Sequence, residues 1–121
     1  MDKKKALYAV LGITGIAIVA FVVISYINWS ATPGDLNEFA QCLTANGVVM
    51  YGTEWCHNCK NQKDMFGTSF QFVNYVDCDQ QKSVCNSEGV TGYPTWKING
   101  LEYRGTQQLQ SLASASNCNL Q

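Results

Sequence analysis

The chain has 121 residues, of which 46% are hydrophobic, and a formal net charge of −1 at pH 7. This length allows one compact domain and a short appendage. Basic residues form no cluster beyond the N-terminus, so the composition argues against a nucleic-acid partner.

The appendage begins with MDKKK and continues as a run without a charged side chain over residues 6–29. About 20 helical residues cross a hydrocarbon core of about 30 Å, so the run predicts a transmembrane helix. A cleaved signal peptide would have an apolar core of about 7–15 residues that ends in small side chains. Here the run is longer, and Trp29 and Pro33 near its end suit a signal peptidase poorly. We therefore expect an uncleaved membrane anchor.

Flanking charges predict the orientation of this anchor. Three lysines at residues 3–5 precede the apolar run, and no Lys or Arg follows it before Lys60. The positive-inside rule then keeps residues 1–5 in the cytoplasm and sends the domain outside, into a periplasmic, lumenal or extracellular space. Tyr26 and Trp29 suit the outer interface of such a single-pass protein of the cell membrane. All six cysteines follow the span, in a compartment where disulfides persist.

Residues 30–34 read as a short polar linker, and we expect one domain over residues 35–121. Apolar residues recur at helical spacing from Leu36 to Leu43, which predicts the first helix of the domain. The apolar run Val48–Tyr51 is short enough for a buried strand. A second helix is predicted to begin at Trp55-Cys56 and to close at Gly67.

Three further elements are predicted downstream. Phe72–Val76 is a strand candidate, and Ser83–Glu88 is predicted to form a short helix that ends at a glycine. We expect Thr106 to cap a last helix, whose apolar stripe is Leu109, Leu112 and Ala113.

A β-hairpin is the clearest local feature of the sequence. Thr95–Ile98 and Leu101–Arg104 are separated by Asn99-Gly100, which tolerates the positive φ angles of a type I′ turn. The two strands before the hairpin are joined by a helix, which favours a parallel right-handed crossover. The expected fold is α/β, with a central mixed four-stranded sheet flanked by helices.

The stretch YGTEWCHNCK places Cys56 and Cys59 two residues apart. Haem attachment requires a histidine directly after the second cysteine, where this chain has Lys60. A zinc ribbon requires a second close pair, whereas Cys78 and Cys85 are farther apart. A redox-active disulfide fits better than these or than an inert structural bridge, and we expect no metal.

The predicted position of the pair supports redox chemistry. A cysteine at the start of a helix faces unpaired backbone N–H groups and the positive end of the helix dipole. Both favour thiolate over thiol, so Cys56 is the expected attacking sulfur. Cys59, one turn later, should be more buried and should resolve a mixed disulfide formed at Cys56. A protonated His57 would stabilise the Cys56 thiolate further.

The motif VVMYGTEWCHNCK, followed by GVTGYPTW, resembles the thioredoxin superfamily over residues 36–115. The resemblance implies a thioredoxin-like fold and a cis peptide bond before Pro94, packed against the CxxC motif. It also implies that the Tyr93 backbone can pair with an extended substrate. We expect Trp55 and Tyr93 to be partly exposed there, as an apolar lip for unfolded chains.

Three segments, MYGTEWCHNCKNQKDMFG, YVDCD and YPTWKINGLEYRG, resemble the thioredoxin-like domain associated with bacterial and plant homologues of vitamin K epoxide reductase. That resemblance implies disulfide exchange with the thiols of secreted proteins, and reoxidation by a quinone-linked membrane enzyme of that reductase type. The domain itself would need no cofactor beyond its Cys56–Cys59 disulfide, and quinone would act only through the partner. The alternatives are a thiol reductant of the cytochrome c maturation type and an anchored metal-binding or copper-delivery module.

Two positions depart from the superfamily pattern. Met50 stands where cytoplasmic thioredoxins have a buried acid, so a proton leaving Cys59 must go to water, Glu54 or the partner. His57 lies beside the first cysteine, whereas isomerases and strong oxidases of the superfamily usually have histidine beside the second. The redox potential therefore does not follow from the resemblance.

The remaining four cysteines allow several pairings. A Cys78–Cys85 bridge would close a small loop, at a stabilisation of about 2 kcal/mol. The related domain tends to carry a cysteine pair here, which favours a structural disulfide over a second redox pair. Cys42 and Cys118 would pair by elimination and hold the C-terminal tail, or both are free, or one bonds another molecule.

Overall fold

The computed structural model describes residues 2–30 and 35–120, with the side chains of residues 27–30 excepted. The chain divides into two compact units, one ending at Gly34 and one beginning at Asp35. Residues 31–34 of the predicted linker and the side chain of Trp29 lie outside the described part.

The first unit consists of helix α1, Lys3–Ser30. Its segment Lys3–Tyr26 has a mean hydropathy of 2.7, and it is long and apolar enough to cross a membrane by length and composition. From Ala6 to Tyr26, mostly apolar side chains surround this helix, which is typical of a membrane span. The same length and composition also fit a signal sequence near an N-terminus.

The second unit alternates helices and strands. A two-turn 3₁₀ segment, Gly67–Phe72, follows the second of its helices. The elements in chain order are α2 (Asn37–Ala45), β1 (Val49–Gly52), α3 (His57–Phe66), β2 (Tyr75–Asp77), α4 (Lys82–Ser87), β3 (Thr95–Ile98), β4 (Leu101–Arg104) and α5 (Leu109–Ser116).

The four strands form one sheet in the order β2-β1-β3-β4. Strands β1 and β2 are parallel and are connected through α3, while β3 is antiparallel to both β1 and β4. The predicted mixed four-stranded sheet flanked by helices is therefore confirmed. The predicted hairpin is also present, with positive φ angles of 52° at Asn99 and 77° at Gly100.

A buried hydrogen-bond bridge holds α3 against the sheet. The indole N–H of Trp96 in β3 donates to Gln62 Oε1 at 3.1 Å, and the backbone N–H of Gln107 donates to the same oxygen at 2.7 Å. Gln62 Nε2 in turn donates to the Gln107 carbonyl at 3.1 Å. Around this bridge lies the apolar core, which includes Phe39, Leu43, Met50, Phe66, Trp96, Ile98 and Leu112.

Two disulfides cross-link the second unit. Cys42 in α2 is bonded to Cys118, which follows α5, with an S–S distance of 2.08 Å. Cys78, just after β2, is bonded to Cys85 in α4, with an S–S distance of 2.01 Å. Neither pair includes Cys56 or Cys59.

The predicted strand Phe72–Val76 is wrong in extent. Residues up to Phe72 belong to the 3₁₀ segment, and β2 begins only at Tyr75. The cause is aromatic packing, because Phe70 contacts both Phe66 of α3 and Tyr75 with ring centroids 6.1 and 5.6 Å apart. These tertiary contacts outweigh the β propensity of the segment.

The predicted cap of the last helix is also wrong. Helix α5 is preceded by Gln108 at the N-cap, and no side chain there bonds the helix. The Thr106 hydroxyl instead donates to the backbone carbonyl of Asn58 in α3, at 3.3 Å. Thr106 therefore links the segment before α5 to the helix that carries the CxxC motif.

Candidate active site

Cys56 occupies the N-cap of α3, directly after the turn that follows β1. Its backbone is extended, with φ −77° and ψ 116°, and its sulfur accepts the backbone N–H of Cys59 at 3.2 Å. The sulfur thus lies among the unpaired N–H groups of the first helical turn, where the helix dipole favours negative charge. Helix α3 itself begins at His57, one residue later than the sequence suggests.

Cys59 lies one turn further along α3 and is fully buried, whereas Cys56 is 8% exposed. Burial raises the pKa of the Cys59 thiol to about 12, and its hydrogen bond to Cys56 and the nearby Cys56 charge act in the same direction. The backbone N–H of Thr53 and the charge of Lys63 oppose this rise. The pair is therefore asymmetric, with an outer sulfur at the helix terminus and an inner one that keeps its proton.

Gly52, at the end of β1, packs directly against the side chain of Cys59. A β-carbon at this position would lie 2.9 Å from Cys59 Sγ and 3.1 and 3.3 Å from Cε2 and Oη of Tyr75. Real side chains do not approach this closely, so only glycine fits. The sequence analysis missed this residue, although a glycine at a strand end signals a close approach of another group.

Charged and aromatic groups surround the inner sulfur on the side of β2. Lys63 in α3 pairs with Glu54 at 2.8 Å, and its ammonium lies 4.1 Å from the centre of the Tyr75 ring. Glu54 is exposed, whereas Met50 in β1 is fully buried between Tyr75 and Trp96 of the neighbouring strands. Tyr75 and Lys63 were not among the predicted site residues, because nothing in the sequence shows that β2 faces α3 here.

Of the remaining predicted site residues, Trp55, His57 and Tyr93 are exposed or half-buried, and Pro94 is buried. Trp55 is 69% exposed and packs edge-on against Tyr93, with ring centroids 6.0 Å apart. The Tyr93–Pro94 peptide bond is cis, as the resemblance implies, and Pro94 is buried. His57 is exposed at the first position of α3. Trp55 and Tyr93 thus give the CxxC motif an apolar, partly open rim.

The other cysteines are oxidised and buried or half-buried, and Cys78 and Cys85 pack with Tyr51 and Val90 in a small cluster of their own. Within residues 2–30 and 35–120, no group of three or more His, Cys, Asp or Glu side chains is arranged to hold a metal ion. The arrangement of Cys56 and Cys59 is suited to thiol–disulfide exchange, with attack at the outer sulfur and release or resolution at the inner one.

Comparison with known proteins identifies the family to which this domain is similar. The family model described as Thioredoxin matches residues 33–117. Thiol-disulfide oxidoreductase LTO1 from Arabidopsis thaliana is 36% identical over 90 residues, covering 67% of this chain and 24% of that protein. Protein disulfide isomerase-like 2-2 from Oryza sativa subsp. japonica is 36% identical over 84 residues, covering 58% of this chain and 23% of that protein.

A fungal relative has similar coverage. Protein disulfide-isomerase from Aspergillus niger is 31% identical over 94 residues, covering 66% of this chain and 18% of that protein. The chain thus spans about a quarter or less of the length of these relatives. The family match covers well over half of the chain and contains the CxxC motif, the cis proline and the whole sheet. The chain therefore belongs to the thioredoxin family.

Proposed function

We propose that this protein is a thiol–disulfide oxidoreductase that introduces or exchanges disulfides in secreted proteins. The observation that carries the proposal is the position of Cys56, whose sulfur caps α3 and accepts the Cys59 N–H at 3.2 Å. A sulfur held there accepts a backbone N–H group of the helix, an arrangement that suits the attacking and leaving sulfur of thiol–disulfide exchange. The names of two relatives, thiol-disulfide oxidoreductase and protein disulfide isomerase, support the same activity.

The exchange proceeds in two steps. A substrate thiolate attacks Cys56 of the oxidised pair, the Cys56–Cys59 bond breaks, and Cys59 leaves as a thiolate that takes a proton from solvent. A second substrate thiolate then attacks the substrate sulfur of the mixed disulfide, and Cys56 leaves as a thiolate at the N-terminus of α3. The substrate gains one disulfide and the domain gains two electrons.

The rim around Cys56 is the proposed contact surface for substrate. Trp55 and Tyr93 offer apolar area to an unfolded chain, and the backbone of Tyr93 before Pro94 is proposed to pair with an extended segment. His57, exposed beside Cys56, is proposed to stabilise the thiolate when it carries a proton. The Cys42–Cys118 and Cys78–Cys85 disulfides are proposed to be structural.

We further propose that α1 anchors the domain outside the cytoplasm. The apolar length of Lys3–Tyr26 supports an anchor, and the lysines at residues 3–5 support a cytoplasmic N-terminus. The two disulfides support an oxidising compartment. Mass measurement of the membrane-extracted protein tests the anchor, because cleavage of a signal sequence would remove the mass of α1. Reporter fusions at both ends test the orientation.

The electron acceptor is proposed to be a membrane enzyme of the vitamin K epoxide reductase type, which passes electrons to a quinone. Each turnover leaves the domain reduced by two electrons, so catalysis requires an oxidant in reach of the membrane surface. An anchored domain would meet such an enzyme in the plane of the bilayer. The motif resemblance described above supports this choice of partner.

A covalent trapping experiment tests the proposal. The full chain with Cys59→Ala is expressed in its native membrane, where a mixed disulfide at Cys56 has no resolving thiol. We expect mixed disulfides with secreted thiol proteins and with a quinone-linked membrane enzyme, and none with the matched Cys56→Ala variant. Capture of neither class by Cys59→Ala would overturn the proposal. A disulfide potential of roughly −270 mV, as in cytoplasmic thioredoxin, would instead indicate a reductant.

A further inference from the structure

The Tyr75 hydroxyl is a buried polar group that the exchange steps above leave without a role. It has no hydrogen-bond partner among the described residues. Buried polar groups are nearly always paired, and an unpaired one next to reacting atoms calls for an explanation. The explanation would be a phenol that donates its hydrogen bond only to a charge formed during the reaction.

The geometry places this hydroxyl near the inner sulfur, with no hydrogen bond between the two in the structure. Strand β2 runs parallel to β1, with Tyr75 paired to Met50, and the ring of Tyr75 extends past Gly52. One point, the position of a β-carbon on Gly52, is 3.3 Å from Tyr75 Oη and 2.9 Å from Cys59 Sγ. The missing side chain of Gly52 thus leaves the phenol and the thiol facing the same small volume.

We propose that the Tyr75 phenol donates a hydrogen bond to the Cys59 thiolate as that thiolate forms, and so sets the rate of the step at the inner sulfur. The inference rests on the proposed exchange activity and assigns Tyr75 a part in it. A hydrogen bond to a charged sulfur is stronger than one to a neutral thiol, so its effect is confined to the thiolate. Tyr75 would therefore supply the hydrogen bond to Cys59 that the apolar side chain of Met50 cannot supply.

The charges around Tyr75 favour its role as a donor that keeps its own proton. Burial raises the pKa of the Tyr75 phenol, and the charges of Glu54, Asp77, Cys59 and Cys56 raise it further. The ammonium of Lys63 in α3 also lies on this side, 4.1 Å from the ring centre. A phenol that stays protonated has an O–H to offer when Cys59 becomes negative.

The step balances without a further reactant. When a substrate thiolate attacks Cys56, the Cys56–Cys59 bond breaks and its electron pair goes to Cys59 Sγ. Tyr75 donates its hydrogen bond to this thiolate, which then takes a proton from solvent, while the phenol keeps its own. In the reverse direction Cys59 loses its proton to solvent, and the same thiolate attacks Cys56 and releases the substrate.

Rapid mixing of the reduced full chain in detergent with Ellman's reagent, an aromatic disulfide, separates the two sulfurs. Attack by Cys56 releases the first aromatic thiolate, and attack by Cys59 on the mixed disulfide releases the second. Loss of one pKa unit of thiolate stabilisation, partly offset by greater nucleophilicity, slows the second release about threefold in Tyr75→Phe. The first release and the disulfide potential at pH 7 should not change, because Cys59 is protonated in the reduced form.

Two companion variants make the result specific. Tyr103→Phe removes a phenol from β4, two strands away from β1, and should leave both releases unchanged. Replacing Tyr75 by 3-fluorotyrosine makes the phenol more acidic and a better donor, so the second release should become faster. This second measurement also decides the question if Tyr75→Phe fails to fold, because the fluorinated side chain keeps the hydroxyl and nearly the same shape.

The outcomes distinguish this inference from the activity on which it rests. If the wild-type chain shows no second release, the proposed exchange activity fails. If the wild-type chain shows both releases but Tyr75→Phe matches it, only the inference is overturned. Equal slowing of both releases in Tyr75→Phe, or a second release insensitive to fluorination, would assign Tyr75 a purely structural role and would also overturn it.

Discussion

The sulfur of Cys59 lies so close to the backbone of Gly52 that a β-carbon on Gly52 would be 2.9 Å from it. The end of β1 is therefore the surface against which the inner thiol rests. Cys59 cannot retreat easily, because its backbone belongs to the first turn of α3 and α3 is held by the Gln62 bridge. The close approach of β1 and α3 at this point is possible because Gly52 has no side chain.

Gly52→Ala should therefore destabilise the protein and slow exchange at Cys59. Overpacking of a close contact costs about 1–3 kcal/mol, and here it displaces either Cys59 Sγ or the ring of Tyr75. The matched control is Gly92→Ala, where a β-carbon meets nothing within 4 Å and φ is not positive. Urea unfolding and the two-step thiol release measure both effects. Equal behaviour of the two variants would show that the site relaxes without cost.

The Cys59 pKa predicts how the stability of the reduced protein depends on pH. The folded state raises this pKa from 9.0 to about 12, so above pH 9 the unfolded chain loses the proton first. The unfolded state then binds fewer protons, and stability falls as pH rises from about 9 towards 12. Urea midpoints of the reduced protein at pH 7, 9 and 10.5 should show this decline.

Reduced Cys59→Ala is the control for that decline, because it keeps the other titrating groups, including the Tyr51 and Tyr75 phenols. Burial and nearby charges raise the pKa of both phenols, so they contribute an alkaline loss of their own. The stability of reduced wild type relative to reduced Cys59→Ala should fall with pH. Parallel curves would contradict the raised Cys59 pKa.

Removal of the long-range disulfide should cost more than removal of the short one. Cys42 and Cys118 are 76 residues apart in sequence, and Cys78 and Cys85 are 7 apart. The chain-entropy model then predicts losses of about 4.5 and about 2 kcal/mol for the two paired Cys→Ala replacements. Urea unfolding measures both, and the reverse ranking would mean that strain or residual structure dominates over loop entropy.

Gln62→Leu should destabilise the domain without touching either thiol. The replacement leaves the Trp96 indole N–H and the Gln107 backbone N–H unpaired in the interior, at about 1–3 kcal/mol each. The control is Gln110→Leu on the exposed face of α5, where the change should stay within about 0.5 kcal/mol. The midpoint of denaturant unfolding measures the stability of each variant. Equal midpoints for Gln62→Leu and Gln110→Leu would show that the Gln62 hydrogen bonds are dispensable.

Trp55→Ala should weaken exchange with unfolded protein substrates more than with small disulfides. Trp55 is 69% exposed, so its loss should leave folding stability nearly unchanged. Loss of roughly 1 kcal/mol of apolar contact with a bound chain lowers kcat/KM about fivefold. The control is Leu101→Ala, an apolar side chain with 61% exposure on β4. A Trp55 variant that loses activity equally on both substrate types would contradict a role in binding chains.

The sequence predicted those parts of the structure that depend on local pattern. The Asn99-Gly100 turn follows from the φ angles that these residues tolerate, and the Cys56 cap follows from the strand–helix junction. The 3₁₀ segment before β2 and the contact of Thr106 with Asn58 were not predicted, because packing between distant elements outweighs local propensity there. Tyr75 was missed for the same reason: its distance from Cys59 is set by how β2 meets α3.

The Cys42–Cys118 and Cys78–Cys85 bonds have a consequence for biogenesis. Under the location proposed above, a newly made copy crosses the membrane with six thiols and is itself a substrate for the chemistry proposed for the mature domain. Its Cys56 must then not form a disulfide with any of the other four cysteines before those have paired with each other and the domain has folded. Maturation under this proposal therefore needs an oxidant outside the cytoplasm, supplied either by another protein or by a copy made earlier.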